Sequence, residues 1–326
     1  MKTRRKLLLA IGASAFAVPL SSFAQSAKVA RVGYLGSTTA AGGKNRVEAL
    51  RVGLRELGYV EGKNLVIEYR WADDKYDLLP KQAAELVGLK VDVIVTHGTP
   101  GVRAAKQATS TIPIVMAIVG DAERAGLVAN MARPAGNITG ATFSNPELAA
   151  KRLEVLRDTI PNIKRVAALY NLDNSGMAPV LKSMEQSAKM LKLDLQQVGV
   201  RAPSELESAF AAMAGKRAEA VVLIEDGMLI GNLARIVELA AKHRLPTIGL
   251  PELAEAGGLM AYGVNLVQTF RRSAYFVDKI LKGAKVSELP VEQADKFELV
   301  LNMKTAKALG VKIPPAIKMR SDKVIE

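Results

Sequence analysis

Short apolar runs rich in Val and Ile alternate along the chain with longer stretches in which apolar residues recur every three or four positions. From residue 30 the order is "ARVGYLG", then "NRVEALRVGLRELGY" with Val47, Leu50, Leu54 and Leu57 on one helical face, then "NLVIEYRW" and "DLLPKQAAELVG". "VDVIVTHG", "GVRAAKQATS" and "IPIVMAIVG" follow. The first kind of run predicts strands and the second predicts helices. Near-continuous apolar strands such as "VDVIV" are buried on both faces, which predicts a parallel sheet covered by helices on each side.

A second set of the same kind begins near residue 164. It runs "KRVAALYN", "APVLKSMEQSAKMLKL" with Leu181, Met184, Ala188 and Leu191 in register, "DLQQVGV", "SELESAFAAMAG", "AEAVVLIED", "LARIVELAAKHR", "LPTIGL" and "GGLMAYG". The expected fold class is therefore α/β, with two doubly wound parallel-sheet lobes in tandem. The Pro-, Gly- and Asn-rich stretch "ARPAGNITGATFSNPE" is the expected connection between them. No repeat of 20–50 residues is present, which excludes a solenoid. After the second set come a helix, "TFRRSAYFVDKILKG", a "SELPVEQ" loop, a strand-like "KFELVLNM" and a short helix, "TAKALG". A tail of that length implies that the chain returns to the first lobe and back, making a hinge of several crossings. The expected limits are residues 25–141 with 265–292 for lobe one, and 142–264 with 293–326 for lobe two.

Composition supports two globular cores: 326 residues, 49% apolar and 24% charged. The first 24 residues stand apart, with a basic start, an apolar run from Leu7 to Leu20 and a small-x-small end at Ser22-Phe23-Ala24. That is the pattern of a cleaved export signal, and the run is short for a membrane span, which needs about 20 apolar residues. Thr3-Arg4-Arg5-Lys6-Leu7-Leu8-Leu9 also resembles a twin-arginine signal, so export by the general or the twin-arginine route is open. The absence of cysteine suits an oxidising compartment and excludes a lipid-anchored cysteine after the signal. A free periplasmic protein is expected. The net charge of +13 falls by the four charges of Lys2, Arg4, Arg5 and Lys6 to +9 once the leader is removed. The remaining Lys and Arg are interspersed with Asp and Glu, and aromatics are only 5%, so a solvated basic surface is expected rather than a nucleic-acid partner.

"RVGYLGSTTAAGGKNR" opens the question of chemistry, because a strand, a hydroxyl-rich loop and a helix serve a phosphate enzyme and an anion receptor equally. The phosphate-loop motif G-x-x-x-x-G-K-[ST] fails at Thr38 and Asn45, and Gly33 and Gly36 do not fit G-x-G-x-x-G. What remains is a helix start offering Ser37, Thr38 and Thr39 hydroxyls and free N–H groups, which either cap the helix or hold a small anion.

Open α/β sheets bind ligands at the carboxyl ends of their strands. The same reasoning selects His97, Gly98 and Thr99 after the third strand, Asp121 after the fourth, and in the second lobe Asn171, Asn174, Ser175, Asp226 and Glu252. Tyr262, at an expected crossing between lobes, completes the set. First-lobe ends are rich in hydroxyls and amides and second-lobe ends in carboxylates, which suits a ligand with an anionic and a cationic end. No nucleophile elbow, H-E-x-x-H or cysteine pair occurs, and the histidines are His97 and His243 alone, so neither catalysis nor a cofactor or metal is expected.

"LRELGYVEGKNLVIEYRWADD", "LARIVELAAKHRLPTIGLPELAEAGGLMAYG" and "VDKILKGAKVSELPVEQADKFELVLNMKTAKALGVKIP" resemble the ABC-transporter substrate-binding protein family that includes the tryptophan-type binding proteins. The resemblance covers essentially the whole mature chain. It implies the type I periplasmic-binding-protein fold, with three hinge crossings and a ligand in the cleft. It further implies a monomeric receptor that hands a small polar solute, an amino acid or related carboxylate, to an inner-membrane permease and its ATPase. A sensory module for a membrane signalling protein and an exported hydrolase are the alternatives.

Overall fold

The computed structural model describes residues 29–326, so the leader expected over residues 1–24 lies outside them. The chain first alternates strand and helix through β1 (Ala30–Gly36), α1 (Ala40–Glu56), β2 (Leu65–Trp71), α2 (Leu79–Gly88), β3 (Val93–Thr96), α3 (Gly98–Ala108), β4 (Ile114–Gly120) and β5 (Ile138–Phe143). A second series follows: α4 (Asn145–Thr159), β6 (Arg165–Asn171), α5 (Met177–Leu191), β7 (Asp194–Val200), α6 (Leu206–Gly215) and β8 (Ala220–Leu223). It continues through α7 (Gly227–Gly231), α8 (Leu233–Lys242), β9 (Thr247–Gly249), α9 (Pro251–Glu255) and β10 (Met260–Gly263). The tail holds α10 (Leu266–Leu281), β11 (Glu292–Gln293), β12 (Glu298–Asn302), α11 (Met303–Leu309), α12 (Pro315–Arg320) and β13 (Lys323–Ile325).

The strands form two sheets, ordered β11-β5-β4-β3-β1-β2 and β13-β12-β10-β9-β8-β6-β7. Apart from the late additions at one edge, both follow the same doubly wound order, with the second strand outside the first and the third to fifth on its other side. β3 is buried along its whole length and β1 at every residue but Arg31, as expected of strands covered by helices on both faces. Every pairing is parallel except β10 with β12. That exception follows from the path. Parallel strands all end at one edge of the sheet, and a chain that re-enters at that edge has to run the opposite way.

The chain passes between the sheets at residues 143–145, 263–266 and 293–298. The first passage lies inside the stretch expected as a connection, whose middle is β5, fully buried between β4 and β11. α4 follows a first-sheet strand yet packs on α5, while α10 follows a second-sheet strand and packs on α1 in the first lobe. Its row of Leu266, Phe270, Ala274, Val277 and Ile280 supplies the apolar face, each large side chain contributing roughly 1.5–3 kcal/mol on burial.

The helix expected from Asn45 begins at Ala40, where Thr39 caps it by accepting the Gly42 N–H at 3.1 Å. Its buried row is Gly43, Arg46, Leu50, Gly53 and Leu54, while Val47 is half-buried and Leu57 exposed. A charged residue thus lies in the inward-facing row. In α5 the buried row is Met177, Val180, Met184, Ser187 and Ala188, with Leu181 and Leu191 only half-buried. The helix turns its serines toward α4, where Ser183 and Ser187 hydroxyls donate to the carbonyls of Pro146 and Ala150.

Candidate functional site

In each sheet the strand order reverses at one place, between β1 and β3 and between β6 and β8. The loops leaving such a pair diverge and open a crevice at the carboxyl edge. The two crevices face each other across a cavity of about 60 Å³. Ser37, His97, Gly98 and Thr99 line it from the first lobe, and Asn174, Glu225 and Asp226 from the second. Ile118, Val119, Phe143, Met177, Ile230 and Phe270 give it an apolar wall.

Asp226 is the most heavily engaged side chain. It precedes α7, and its Oδ1 accepts the Met228 and Leu229 N–H groups at 3.0 and 3.3 Å and the Asn171 amide at 3.1 Å. Its Oδ2 accepts the Asn174 amide at 3.0 Å and, across the cleft, the Tyr76 hydroxyl at 2.7 Å. Burial raises the Asp226 pKa, and these donors oppose the rise. Four of the five contacts are fixed N–H donors, which favour the ionised carboxylate. Burial and the neighbouring Asp226 charge raise the Tyr76 phenol well above its ordinary range, so it stays a donor.

A second bond across the cleft runs from the Asn232 amide to Asp74 Oδ2 at 3.2 Å. Around these bonds the lobes touch backbone to side chain. A Cβ placed on Gly227 would stand 2.0 Å from Ser37 Oγ, and one on Gly231 would stand 2.0 Å from Thr38 Oγ1. Only glycine admits so close an approach. The lobes are therefore closed on one another in this structure.

Arg46, from the inward row of α1, also lines the cavity. It is 4% exposed; its Nη2 donates to the Gly42 carbonyl at 3.1 Å, and its Nη1 has no partner. His97 Nε2 and Asn145 Oδ1 are likewise buried and unpartnered. Burial, reinforced by the Arg46 charge, lowers the His97 pKa to about 3, so its ring is neutral. It packs edge-on against Phe270 with centroids 5.4 Å apart. Glu225 differs: the guanidinium of the fully buried Arg152 donates to both its oxygens, and also to the carbonyls of Leu223 and Tyr262. Arg152 thereby ties the ends of β8 and β10 to α4.

Of the residues selected from the sequence, Ser37, His97, Gly98, Thr99, Asn174 and Asp226 come together at the cavity. The others lie around it. Thr38 is buried in the seam against Gly231. Asn171 sits behind Asp226, and Ser175 is exposed. Asp121 follows the cavity-lining end of β4 and binds the Arg124 N–H and guanidinium at 3.3 Å. Glu252 Oε1 accepts the Leu266 N–H at 3.1 Å beneath the second crossing, its Oε2 is buried without a partner, and burial pushes its pKa up to about 7. The Tyr262 ring stacks on Phe297 with centroids 5.9 Å apart.

Arg46, Tyr76, Asn145 and Phe270 were not among the residues selected. Arg46 carried a signal: it is the charged residue four and eight positions before Leu50 and Leu54, on their side of α1. Among the described residues, no group of three or more His, Asp or Glu is placed to hold a metal ion, and no helix is long and apolar enough to cross a membrane.

Two lobes of like topology, closed over a cavity at both switch points, define a ligand-binding protein of the type I periplasmic-binding-protein fold. The family described as ABC transporter substrate binding protein matches residues 41–325, and the chain belongs to that family. It is 27% identical over 259 residues to a tyrosine-binding protein of Clostridioides difficile, covering 79% of this chain and 74% of that one. A conserved domain protein of Vibrio cholerae superposes with a TM-score of 0.84 at 27% identity, covering 91% of this chain and all of that one. An ABC domain from Streptococcus pneumonia in complex with L-Trp gives 0.81 at 24% identity, over 90% of this chain and all of that one.

Proposed function

We propose that this chain is an exported, monomeric periplasmic receptor that closes over a small carboxylate-bearing solute, an amino acid or related carboxylate, and delivers it unaltered to an ABC permease and its ATPase. The observation that carries this reading is the cavity shared by both switch points, sealed by hydrogen bonds that run from one lobe to the other. Ser37, His97, Gly98, Thr99, Asn174 and Asp226 surround the solute, and Thr38, Asn171 and Glu252 support the surrounding shell. Substrate binding is the role of the family, and the tyrosine-binding relative supports the amino-acid class.

Affinity follows from closure. A helix terminus contributes roughly 0.3–1 kcal/mol to anion binding, whereas micromolar binding needs about 8 kcal/mol. Charge-assisted bonds of about 1.5–3 kcal/mol each, made inside a closed and dry cavity, supply the remainder. A thermal-shift screen of amino acids, carboxylates and nucleosides tests the reading. Ligand at 100 times its Kd adds about 2.7 kcal/mol of stability. No shift with any class, or turnover of a ligand that is lost on His97→Ala, overturns it.

A further inference from the structure

We infer that the solute is a small monocarboxylate with an apolar body and no ammonium group, its carboxylate paired with the guanidinium of Arg46. This rests on the receptor reading above and narrows its ligand.

The charges that face the cavity do not balance. Among the described residues that line the cavity, Arg46 is the cation left without an anion: it is 4% exposed, spends one nitrogen on the Gly42 carbonyl and leaves Nη1 without a partner. Asp74 and Glu252 feel its field, but neither comes within ion-pair distance, and neither lines the cavity. A buried guanidinium stays charged at any working pH and is costly to leave unpaired. An anionic ligand removes that cost.

The anions facing the cavity are already occupied. Asp226 accepts five hydrogen bonds from within the protein, and both oxygens of Glu225 are held by Arg152, which also donates to two backbone carbonyls. His97 is neutral, and its unpartnered Nε2, like Asn145 Oδ1, can serve one neutral polar group of a ligand. An ammonium would enter a space whose one unpaired charge is positive, with no free carboxylate to receive it. Buried charges without a partner are the expensive case. Beside the polar Ser37, Tyr76, Thr99 and Asn174, the residues Ile118, Phe143, Met177, Ile230 and Phe270 give the wall an apolar stretch that suits an alkyl or aryl body.

Matched pairs that differ only in the α-amino group decide the matter: propionate against alanine, isovalerate against valine, 3-phenylpropionate against phenylalanine, and 3-(4-hydroxyphenyl)propionate against tyrosine. Calorimetry on the mature protein is expected to give at least tenfold tighter binding of the amine-free member in the pair that fits. Arg46→Gln is expected to weaken that ligand roughly tenfold to hundredfold, as loss of a charge-assisted contact does, while the ligand-free melting temperature holds or rises. Arg46→Lys should recover part of the affinity.

Equal or tighter binding of the amino acid overturns the inference and leaves the receptor reading standing, as does full affinity in Arg46→Gln. If that variant does not fold, the wild-type pairs decide alone. A wild-type protein that binds neither member of any pair overturns the inference, and the wider screen then shows whether the receptor reading falls with it.

Discussion

Tyr76 joins the lobes through one hydroxyl, and its removal tests how far closure depends on a single bond. The hydroxyl donates to Asp226 Oδ2 at 2.7 Å and accepts the Met228 N–H at 3.2 Å. Tyr76→Phe deletes the first without stranding a group, because Asp226 keeps four donors and Met228 N–H still donates to Asp226 Oδ1 at 3.0 Å. A hydrogen bond to a charged acceptor contributes about 1.5–3 kcal/mol. Since Tyr76 and Asp226 belong to different lobes, that energy favours the closed state alone.

The closing equilibrium should therefore fall roughly tenfold to hundredfold, at about 1.4 kcal/mol per decade. Apparent affinity falls by the same factor wherever the closed state is the minor one before ligand binds. Calorimetry gives the Kd and small-angle scattering gives the fraction closed, while the melting temperature of the ligand-free protein stays near wild type. A Tyr76→Phe protein with a Kd within twofold of wild type and an unchanged ligand-bound envelope would refute the claim that this contact holds the cleft shut.

Gly231→Ala puts a methyl 2.0 Å from Thr38 Oγ1, so scattering should show an open envelope even with ligand, whereas Gly215→Ala, with nothing within 4 Å, should leave it unchanged. Glu225→Ala strips Arg152 of its carboxylate in the interior and should cost about 3–5 kcal/mol in urea unfolding. Glu252 makes stability depend on pH. Its folded pKa of about 7 lies above the ordinary 4.5, so between those values the native state binds more protons and stability falls as pH rises. The loss is up to about 3 kcal/mol, is complete near pH 7, and should be absent in urea titrations of Glu252→Gln. His97, neutral throughout, should add no pH dependence to binding between pH 5 and 8.

The sheets were legible because strand burial on both faces leaves continuous apolar runs, which is why β1, β3, β4 and β8 stood out. β5 did not, since Thr139, Gly140 and Thr142 sit in a fully buried strand whose hydroxyls are satisfied by the carbonyls of Leu289 and Val119. Burial there follows from neighbours far along the chain. β13, too short and too exposed to leave a pattern, is set by pairing with β12.

In the site, strand ends mark the residues at the two switch points, while Asp121 and Ser175 lie outside the cavity lining, since a strand end guarantees a position at the edge and not a side chain turned inward. Tyr76 escaped because it comes from the loop after the outer strand β2 and reaches a partner 150 residues away. Arg46 escaped because the apolar side chains Val47 and Leu57 drew the expected row to one side, whereas the buried row runs through Gly43, Arg46 and Gly53, positions that carry no apolar signal.

The exchange of α10 sets a timetable for folding. A chain emerging amino end first has β1 to β5 in hand early, yet the surface of α1 around Gly53 that Arg271 and Ala274 of α10 will cover stays bare until residues well past 260 have arrived. By then the second half is nearly finished. The amino-terminal half, first to be made, waits for α10 and for β11 past residue 290, and only β12 and β13 of the second sheet come later, so any factor that guards the young chain has to shield that helix face.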